Sequence, residues 1–365
     1  MKILHIAESI QGGCGTYLNE VVPCQVHDLG AGNLRVLVPI QHVSQLVNIP
    51  PQCIETFARG SRSLGLLSLL FNSFKTIRSF QPDVIHLHST FAGALVRLFS
   101  VLINRNIRIV YCPHGWVFDV EQRKFIARFL EIAERLLANR AFKIVAISSF
   151  EFRRARDIGI ASDKLVTILN GISACPPTAS GPAWNGTRLR ILFVGRLDKQ
   201  KGVDVLLRAV DDLQDKVCLR VIGAGVNNHK HENHVPANVE MLGWQPQNVI
   251  NAQMKLCDVL VMPSRWEGFG LVAIEAMRCG KPVVATRVGG LASIVVDHVT
   301  GRLVEKDDVQ GLIKILASES LENWRKMGNS GQSHFLQKYT IERVHQQLME
   351  LYSQAVATLP PTKDC

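Results

Sequence analysis

The sequence predicts an α/β protein built from two parallel sheets, each covered by helices on both faces. Three observations predict it: apolar runs of strand length, helix-length segments between them, and one breaker-rich stretch after which the alternation restarts. At 365 residues the chain exceeds one ordinary α/β domain and fits two. Hydrophobic residues make up 47% and charged residues 20%, enough apolar material for a large core.

The first half opens on KILHIA, a buried strand, followed by GGCG and a helical TYLNEVVPCQVHDLG. LRVLVPI, DVIHLH, IRIVYC and KIVAIS are further strands, separated by segments long enough for helices. Residues 171–188, GISACPPTASGPAWNGTR, combine Pro, Gly, Ser and Thr without periodicity and read as a linker. The pattern then resumes in LRILFVG, VCLRVIGAG, NVEMLG, CDVLVMPS and KPVVATRVGG, without internal repetition. Ile341 to Thr358 has helical spacing. The expected division is a first domain over 1–170, a linker over 171–188 and a second domain over 189–340. Residues 341–365 are expected to form a helix packing back toward the first domain, with a tail.

Nine cysteines are scattered without a CxxC pair or metal-ligand spacing, so they read as small core residues with no thiol chemistry. The formal charge of +10 is uneven: residues through Asn170 hold 19 Lys and Arg against 12 Asp and Glu, the remainder 22 against 19. A basic first half attracts nucleic acid, anionic lipid or a phosphorylated acceptor. Nucleic acid is disfavoured, because no aromatic-plus-basic motif or zinc module accompanies the charge. No stretch reaches the roughly 20 apolar residues of a spanning helix. MKILHIAESI reads as a strand rather than a basic leader with a cleavage site, so a cytoplasmic location is expected.

The strongest chemical signal is SRWEGFGLVAIEAMRCGKPVVAT. Glu267 and Glu275 are separated by Gly268, Phe269, Gly270 and the segment opening at Leu271. Glycines there let the backbone approach a ligand, and a helix starting near Leu271 would aim amides at a bound diphosphate. Carboxylates accept hydrogen bonds from paired sugar hydroxyls. A lone pair of glutamates is ordinarily a solvated loop residue and a helix-face charge; the intervening glycines favour a site. The second signal is FVGRLDKQKGVDVLLRAV, where Arg196 and Lys201 lie in a loop between a strand and a helix starting near Val203. Loops supply surface cations freely, but two of them beside a helix N-terminus suit a pyrophosphate.

GRLDKQKG together with EGFGLVAIEA resembles the retaining glycosyltransferases of family 4, the group 1 glycosyl transferases. The resemblance covers nearly the whole chain. It includes GG at Gly12 and Gly13, DVIHLH near residue 86, HG at His114 and Gly115, NG at Asn170 and Gly171, and GAG at Gly223 to Gly225. It implies the GT-B architecture, two Rossmann-like domains facing an interdomain cleft. It also implies that Arg196 and Lys201 hold the donor diphosphate and stabilise charge on the departing nucleotide. Glu275 would bind the ribose and Glu267 a sugar hydroxyl, with the amides of Phe269, Gly270 and Leu271 facing sugar and phosphate. His114 would lie by the transferred sugar from the opposite domain, and Gly12 and Gly13 would let the first loop approach the phosphates. The implied catalytic set is therefore His114, Arg196, Lys201 and Glu267, with no protein nucleophile.

The activity implied is transfer of a hexose, with retention, from a UDP- or GDP-sugar to a saccharide acceptor in exopolysaccharide or surface-glycan assembly. The acceptor is expected on the first domain and linked to a lipid, with the protein peripheral on the inner face of the plasma membrane. The motivation is the basic first half and RGSRSLGLLSLLFNSFKTIR (59–78), where Arg59, Arg62, Lys75 and Arg78 flank an apolar centre. That segment reads equally as a core helix with solvated ends. RKFIARFLEIAERLLANR (123–140) is more evenly amphipathic and is expected to pack within its domain.

No Asp-x-Asp pair occurs, so neither a metal nor another cofactor is expected. HKHENH at 229–234 reads as a polar loop, lacking partner cysteines and helix-face spacing. A nicotinamide fingerprint fails. Gly13 and Gly15 fit its first two glycines, but Leu18 replaces the third and VLVPIQ ends without an acidic residue. Two other classes compete: a sugar-nucleotide epimerase on the same architecture, and a non-catalytic nucleotide-sugar-binding paralogue. Acceptor-dependent nucleotide release, epimer formation or neither would separate the three. The sequence departs from the family pattern at Ile172 and Ser173 after NG, where an acidic residue is usual. It departs again at Ala292 and Ser293, where many members carry a Glu.

Overall fold

The computed structural model describes residues 1–59, 62–103, 106–119, 123–175, 181–184, 187–225 and 235–358. Two units divide it, Met1–Gly171 with Ile341–Cys365, and Ile172–Thr340. The HKHENH run and parts of the 171–188 segment lie outside the described residues.

The first unit runs β1 (Ile3–Ala7), α1 (Gly13–Leu29), β2 (Leu34–Pro39), β3 (Ile54–Phe57), α2 (Arg62–Phe80), β4 (Val84–His88), α3 (Thr90–Leu98) and β5 (Arg108–Cys112). It continues α4 (Lys124–Ala138), β6 (Lys143–Ala146), α5 (Ser149–Asp157) and β7 (Leu165–Thr167). The second runs β8 (Leu189–Val194), α6 (Val203–Leu213), β9 (Val217–Ile222), β10 (Val239–Gly243), α7 (Gln247–Leu256), β11 (Val259–Met262) and α8 (Leu271–Arg278). Then come β12 (Val283–Thr286), α9 (Leu291–Ile294), β13 (Gly301–Val304), α10 (Val309–Ser318) and α11 (Leu321–Lys338). The last helix, α12 (Ile341–Ala357), returns to the first unit.

All strands pair in parallel, in the orders β3-β2-β1-β4-β5-β6-β7 and β10-β9-β8-β11-β12-β13. Helices cover both faces of such a sheet, so inner strands bury every side chain and read as unbroken apolar runs. Strands β1 and β4 do so over all five residues, with His5, His86 and His88 the polar exceptions. Chain direction across each sheet reverses at its first strand: β1 lies between β2 and β4, and β8 between β9 and β11. Loops leaving such neighbours go to opposite faces and open a crevice at the strands' C-terminal ends. Each unit therefore carries one crevice fixed by topology.

The three strands that apolar runs do not announce, β3, β7 and β13, are all sheet edges of three or four residues. An edge strand half-faces water, and its composition loses the continuous apolar signal.

Helix α12 buries Ile341, Val344, Leu348, Leu351, Tyr352 and Ala355, a spacing of three and four that makes one seam. Its Tyr352 hydroxyl meets Nδ1 of His86 at 2.6 Å, tying the chain's end to β4. Between α3 and α4 the buried Arg97 guanidinium donates to Glu134 at 2.7 Å and lies 3.8 Å over the Tyr111 ring. The Tyr111 hydroxyl donates to the same carboxylate at 3.1 Å.

Helix α4 packs within its unit, as expected, but it carries a second apolar stripe. It packs Ala127, Leu130 and Ala138 onto the core, yet Phe125, Phe129, Ile132 and Leu136 are exposed, Phe129 at 69%. Those four positions fall on one stripe of a 3.6-residue helix. Amphipathic spacing alone does not reveal a helix with apolar residues on two faces, one inward and one outward. On α2, Leu64, Leu67 and Phe71 are also exposed, and α3 touches both helices. Among the described residues, no helix is long and apolar enough to cross a membrane.

Candidate functional site

In the second unit the crevice between β8 and β11 is lined by the loops that follow those strands. The loop after β8 carries Arg196 and Lys201; the loop after β11 carries Glu267 and opens α8. The two are laced together: the Arg265 amide donates to Gln200 O at 2.7 Å, and Gln200 Nε2 donates to Trp266 O at 3.2 Å. Contact this close requires glycine at 202, which sits at φ +65°, where a Cβ would come within 2.1 Å of Pro263 O. Arg265 pins the second loop further, donating to both oxygens of Asp204 and to Asp307. Its hydrogen bonds to Asp204 hold its pKa above the usual guanidinium value.

Lys201 Nζ and Glu267 Oε2 meet at 2.5 Å, with side chains 19% and 12% exposed. Arg196 is on the same loop but more open, at 55%, its guanidinium 3.2 Å from Asp198 and 2.6 Å from Gln200 Oε1. Asp198 also accepts from the Lys201 amide at 3.1 Å, so one carboxylate orders both cationic residues. Sequence reading did not single out Asp198 or Gln200. Their signal was present, since each lies within three residues of a candidate cation in a loop too short to leave polar groups idle.

Helix α8 begins at Leu271 with Gly270 as N-cap in the left-handed region and no side-chain cap. Its first amides lack an intrahelical acceptor and face the positive end of the helix dipole. Phe269 does not line an open surface: it is 4% exposed and its ring packs edge-on against Tyr339. Glu275 sits half-buried in the helix's second turn. A cation pair, a carboxylate and helix-end amides at one crevice can bind a diphosphate and stabilise its negative charge.

In the first unit, Gly12 caps α1 at φ +78° and Gly13 opens it; both are exposed. His114 follows β5 at φ +54°, a conformation a non-glycine residue rarely adopts. It is half-buried and ends a series of imidazoles that sequence reading did not assemble. Gln25 Oε1 meets His5 Nε2 at 2.7 Å, His5 Nδ1 meets His88 Nε2 at 2.9 Å, and His88 Nδ1 meets His114 Nε2 at 2.9 Å. Residues 86 and 88 share a strand face, and register pairs His5 with His86. The alternation in DVIHLH was therefore the available signal.

Burial holds these imidazoles neutral. His5 and His114 are pushed down to about 4, and His86 and His88 well below their usual value, with neighbouring imidazoles adding repulsion to the latter two. Burial pushes the adjacent Cys14 thiol up to about 12 and the Tyr17 hydroxyl well above its usual value. Among the described residues, His5, His86 and His88 bring one ligand-competent atom each within 4.8 Å of one another, as do Cys14, His88 and His114.

The predicted residues thus fall into two sets. Arg196, Lys201, Glu267, Phe269, Gly270, Leu271 and Glu275 belong to the second unit, and Gly12, Gly13 and His114 to the first.

Residues 179–333 match the family described as Glycosyl transferases group 1, and residues 38–174 match Glycosyltransferase Family 4. A 41.2 kDa protein of the cps region of Klebsiella pneumoniae is 32% identical over 340 residues, covering 89% of this chain and 92% of that protein. Glycosyltransferase MJ1178 of Methanocaldococcus jannaschii is 31% identical over 299 residues, covering 79% and 81%. Among solved structures, Anabaena HepE in complex with UDP aligns with a TM-score of 0.81 at 22% identity, over 97% of this chain and 100% of that one. Sucrose-phosphate synthase from Thermosynechococcus elongatus aligns at 0.78 and 20%, over 98% and 100%. These structures share the fold of two Rossmann-like units. By sequence match over both units and by fold, the chain belongs to the family 4, group 1 glycosyltransferases, with the GT-B fold.

Proposed function

We propose that the protein transfers a hexose, with retention of configuration and without a metal, from a UDP- or GDP-sugar to a saccharide acceptor. The observation that carries this is the Lys201–Glu267 contact beside the start of α8, with Arg196 on the same loop. A departing nucleoside diphosphate concentrates negative charge on its distal phosphate. Cations and amides already oriented for that charge lower the barrier without reorganising during the reaction. In the resting pair Lys201 is neutralised by Glu267; a bound diphosphate competes for the ammonium and frees the carboxylate to accept from a sugar hydroxyl. Arg196 and Lys201 would take the diphosphate, Glu275 the ribose, and the amides of Phe269, Gly270 and Leu271 the sugar and phosphate. His114, Gly12 and Gly13 would serve from the first unit. The UDP bound by HepE supports a uridine nucleotide among the candidates.

The acceptor in this reading is lipid-linked and belongs to exopolysaccharide or surface-glycan assembly, a setting supported by the name of the Klebsiella relative. The first unit would rest on the inner face of an anionic membrane through the outward stripes of α2 and α4. Exposed Arg123, Lys124, Arg128, Arg135 and Arg140 adjoin Phe125, Phe129, Ile132 and Leu136 on α4, matching apolar side chains to acyl chains and cations to headgroups. Arg59, at the start of the apolar-basic segment, pairs with Glu8 at 3.0 Å.

A thermal-shift panel of UDP, GDP, ADP and their common sugars tests the donor. One base should raise the melting temperature and the others should not. Incubation of that sugar nucleotide with and without saccharide acceptor, in EDTA, then tests the reaction. Acceptor-dependent nucleotide release with an unchanged anomeric configuration supports the proposal, whereas epimer formation or no turnover counts against it. Sedimentation with phosphatidylglycerol vesicles, compared with phosphatidylcholine vesicles, tests the membrane surface, and Phe125→Asp with Phe129→Asp should abolish the difference.

A further inference from the structure

We infer that Gln25, His5 and His88 form a polarised hydrogen-bond wire that fixes the tautomer of His114, leaving its Nδ1 as a hydrogen-bond acceptor for a hydroxyl of the ligand. The argument is one of proton counting. A neutral imidazole has one N–H and one bare nitrogen, and a carbonyl oxygen only accepts. Gln25 Oε1 lies 2.7 Å from His5 Nε2, so that nitrogen carries the proton and His5 Nδ1 is bare. The bare nitrogen is 2.9 Å from His88 Nε2, which must then be protonated, leaving His88 Nδ1 bare. That atom is 2.9 Å from His114 Nε2, which must donate in turn. The one ring nitrogen the wire does not use is His114 Nδ1.

The premise of neutrality holds along its length. Burial lowers all three histidines far enough that none carries charge near pH 7. Aromatic packing fixes the rings: His5 stacks on His88 with centroids 5.2 Å apart, His88 on His114 at 5.1 Å, and Tyr17 meets His114 edge-on at 4.8 Å. The same cluster invites a metal reading, but both nitrogens of His5 and of His88 are already engaged in the wire. Of the three imidazoles on β1 and β4, only His86 keeps a nitrogen, Nε2, without a hydrogen-bond partner. An ion held by His5 Nδ1, His86 Nε2 and His88 Nε2 would displace the one hydrogen bond between His5 and His88 and with it the relay of tautomers, so the two readings exclude each other.

A fixed acceptor at His114 selects chemistry. A hydroxyl donates to it; a carboxylate or phosphate oxygen, unprotonated at neutral pH, presents only lone pairs and is repelled. Resting on the reading that His114 meets the sugar, the protein should favour a hexose over the corresponding uronic acid, and Gln25 and His88 act as positioning residues for that preference.

The test is the ring-nitrogen spectrum of the full chain labelled with 15N-histidine, with His114 assigned by loss of its signals in His114→Gln. The expected result is a protonated Nε2 and a bare Nδ1 on His114. In Gln25→Met, confirmed folded by its melting curve, the terminal acceptor is gone and His114 should become a mixture of tautomers. The ratio of kcat/KM for the hexosyl over the uronosyl donor should fall on the order of tenfold in that variant. A protonated Nδ1 in the native chain overturns the wire, as does an unchanged His114 tautomer in Gln25→Met. Stoichiometric metal in the purified protein, with ring signals that change on chelation, also overturns it. The spectrum needs no turnover, so failure of the wire is distinguishable from failure of the glycosyl-transfer reading.

Discussion

Lowering the pH from 7 to 5 is expected to destabilise the first unit by about 6 kcal/mol through three fully buried histidines alone. His5, His86 and His88 are fully buried, and burial depresses the pKa of each in the folded state, His5 to about 4 and the others well below the usual imidazole value. An unfolded histidine titrates near 6.5. Because the folded value is the lower one, the stabilisation is present above about 6.5 and is lost as the pH falls toward the folded value. At pH 5 the unfolded imidazole lies about 1.5 units below its pKa, and each unit is worth about 1.4 kcal/mol. Each buried histidine therefore removes about 2 kcal/mol, whatever the depth of its depression, provided it stays neutral in the folded chain. Three remove about 6, which is comparable to the entire stability of many domains. Scanning calorimetry of the full chain between pH 7 and 5, in buffers of different ionisation enthalpy, counts the protons. At pH 5 these three residues should take up about three protons on unfolding, and His88→Gln should reduce the uptake by one. Uptake below one proton, or a transition that does not move with pH, would refute the claim that these imidazoles are neutral in the fold.

Other consequences follow from single contacts. Arg97→Met leaves the buried Glu134 carboxylate without its cation, so the denaturant midpoint should fall by the equivalent of about 3–5 kcal/mol. Adding Glu134→Gln should restore part of that loss, because the two sites are coupled. Gly289→Ala sets a β-carbon at φ +50° within 1.7 Å of Glu267 O, so the melting temperature of the second unit and its nucleotide affinity should both drop. Lys201→Met should lower turnover by about a hundredfold or more, and combining it with Glu267→Gln should cost less than the sum of the two losses.

The fold was legible wherever burial imposed a pattern. Among the described residues, ten of the thirteen strands are announced by apolar runs, and α6, α8 and α12 begin at the residues that spacing and glycines mark. What escaped was set by the environment across the sheet. Edge strands β3, β7 and β13 have one open side, and α4 has apolar residues on both faces. At the site, the loop bearing Arg196 and Lys201 was readable because cations stand beside a strand end and a helix start. The bond between Lys201 and Glu267 was not, since 66 residues separate them and only the adjacency of β8 and β11 joins their loops. The imidazole wire was hidden for the same reason, spread over positions 5, 25, 88 and 114.

Both sheets reverse direction at their first strand, yet the two crevices so formed hold opposite kinds of polar chemistry. In the second unit the residues are charged and stand in loops, partly open to water, where holding an ammonium or guanidinium costs little. A diphosphate needs full charges, and loops are the part of the fold that can carry them. In the first unit the polar groups stand on strands β1 and β4 themselves, inside the layer that α1 and α12 cover. A charge there would be expensive to bury, so the residues tolerated are those able to satisfy one another while neutral. Histidine is suited to this because each ring both gives and receives one hydrogen bond, which lets polarity pass through the sheet to its exposed end. On this argument, replacing His5 or His88 by lysine should unfold the first unit at neutral pH while the second unit, whose charges stand in its loops, keeps its own melting transition. Loss of both transitions together, or a first unit that still melts normally, would refute the argument.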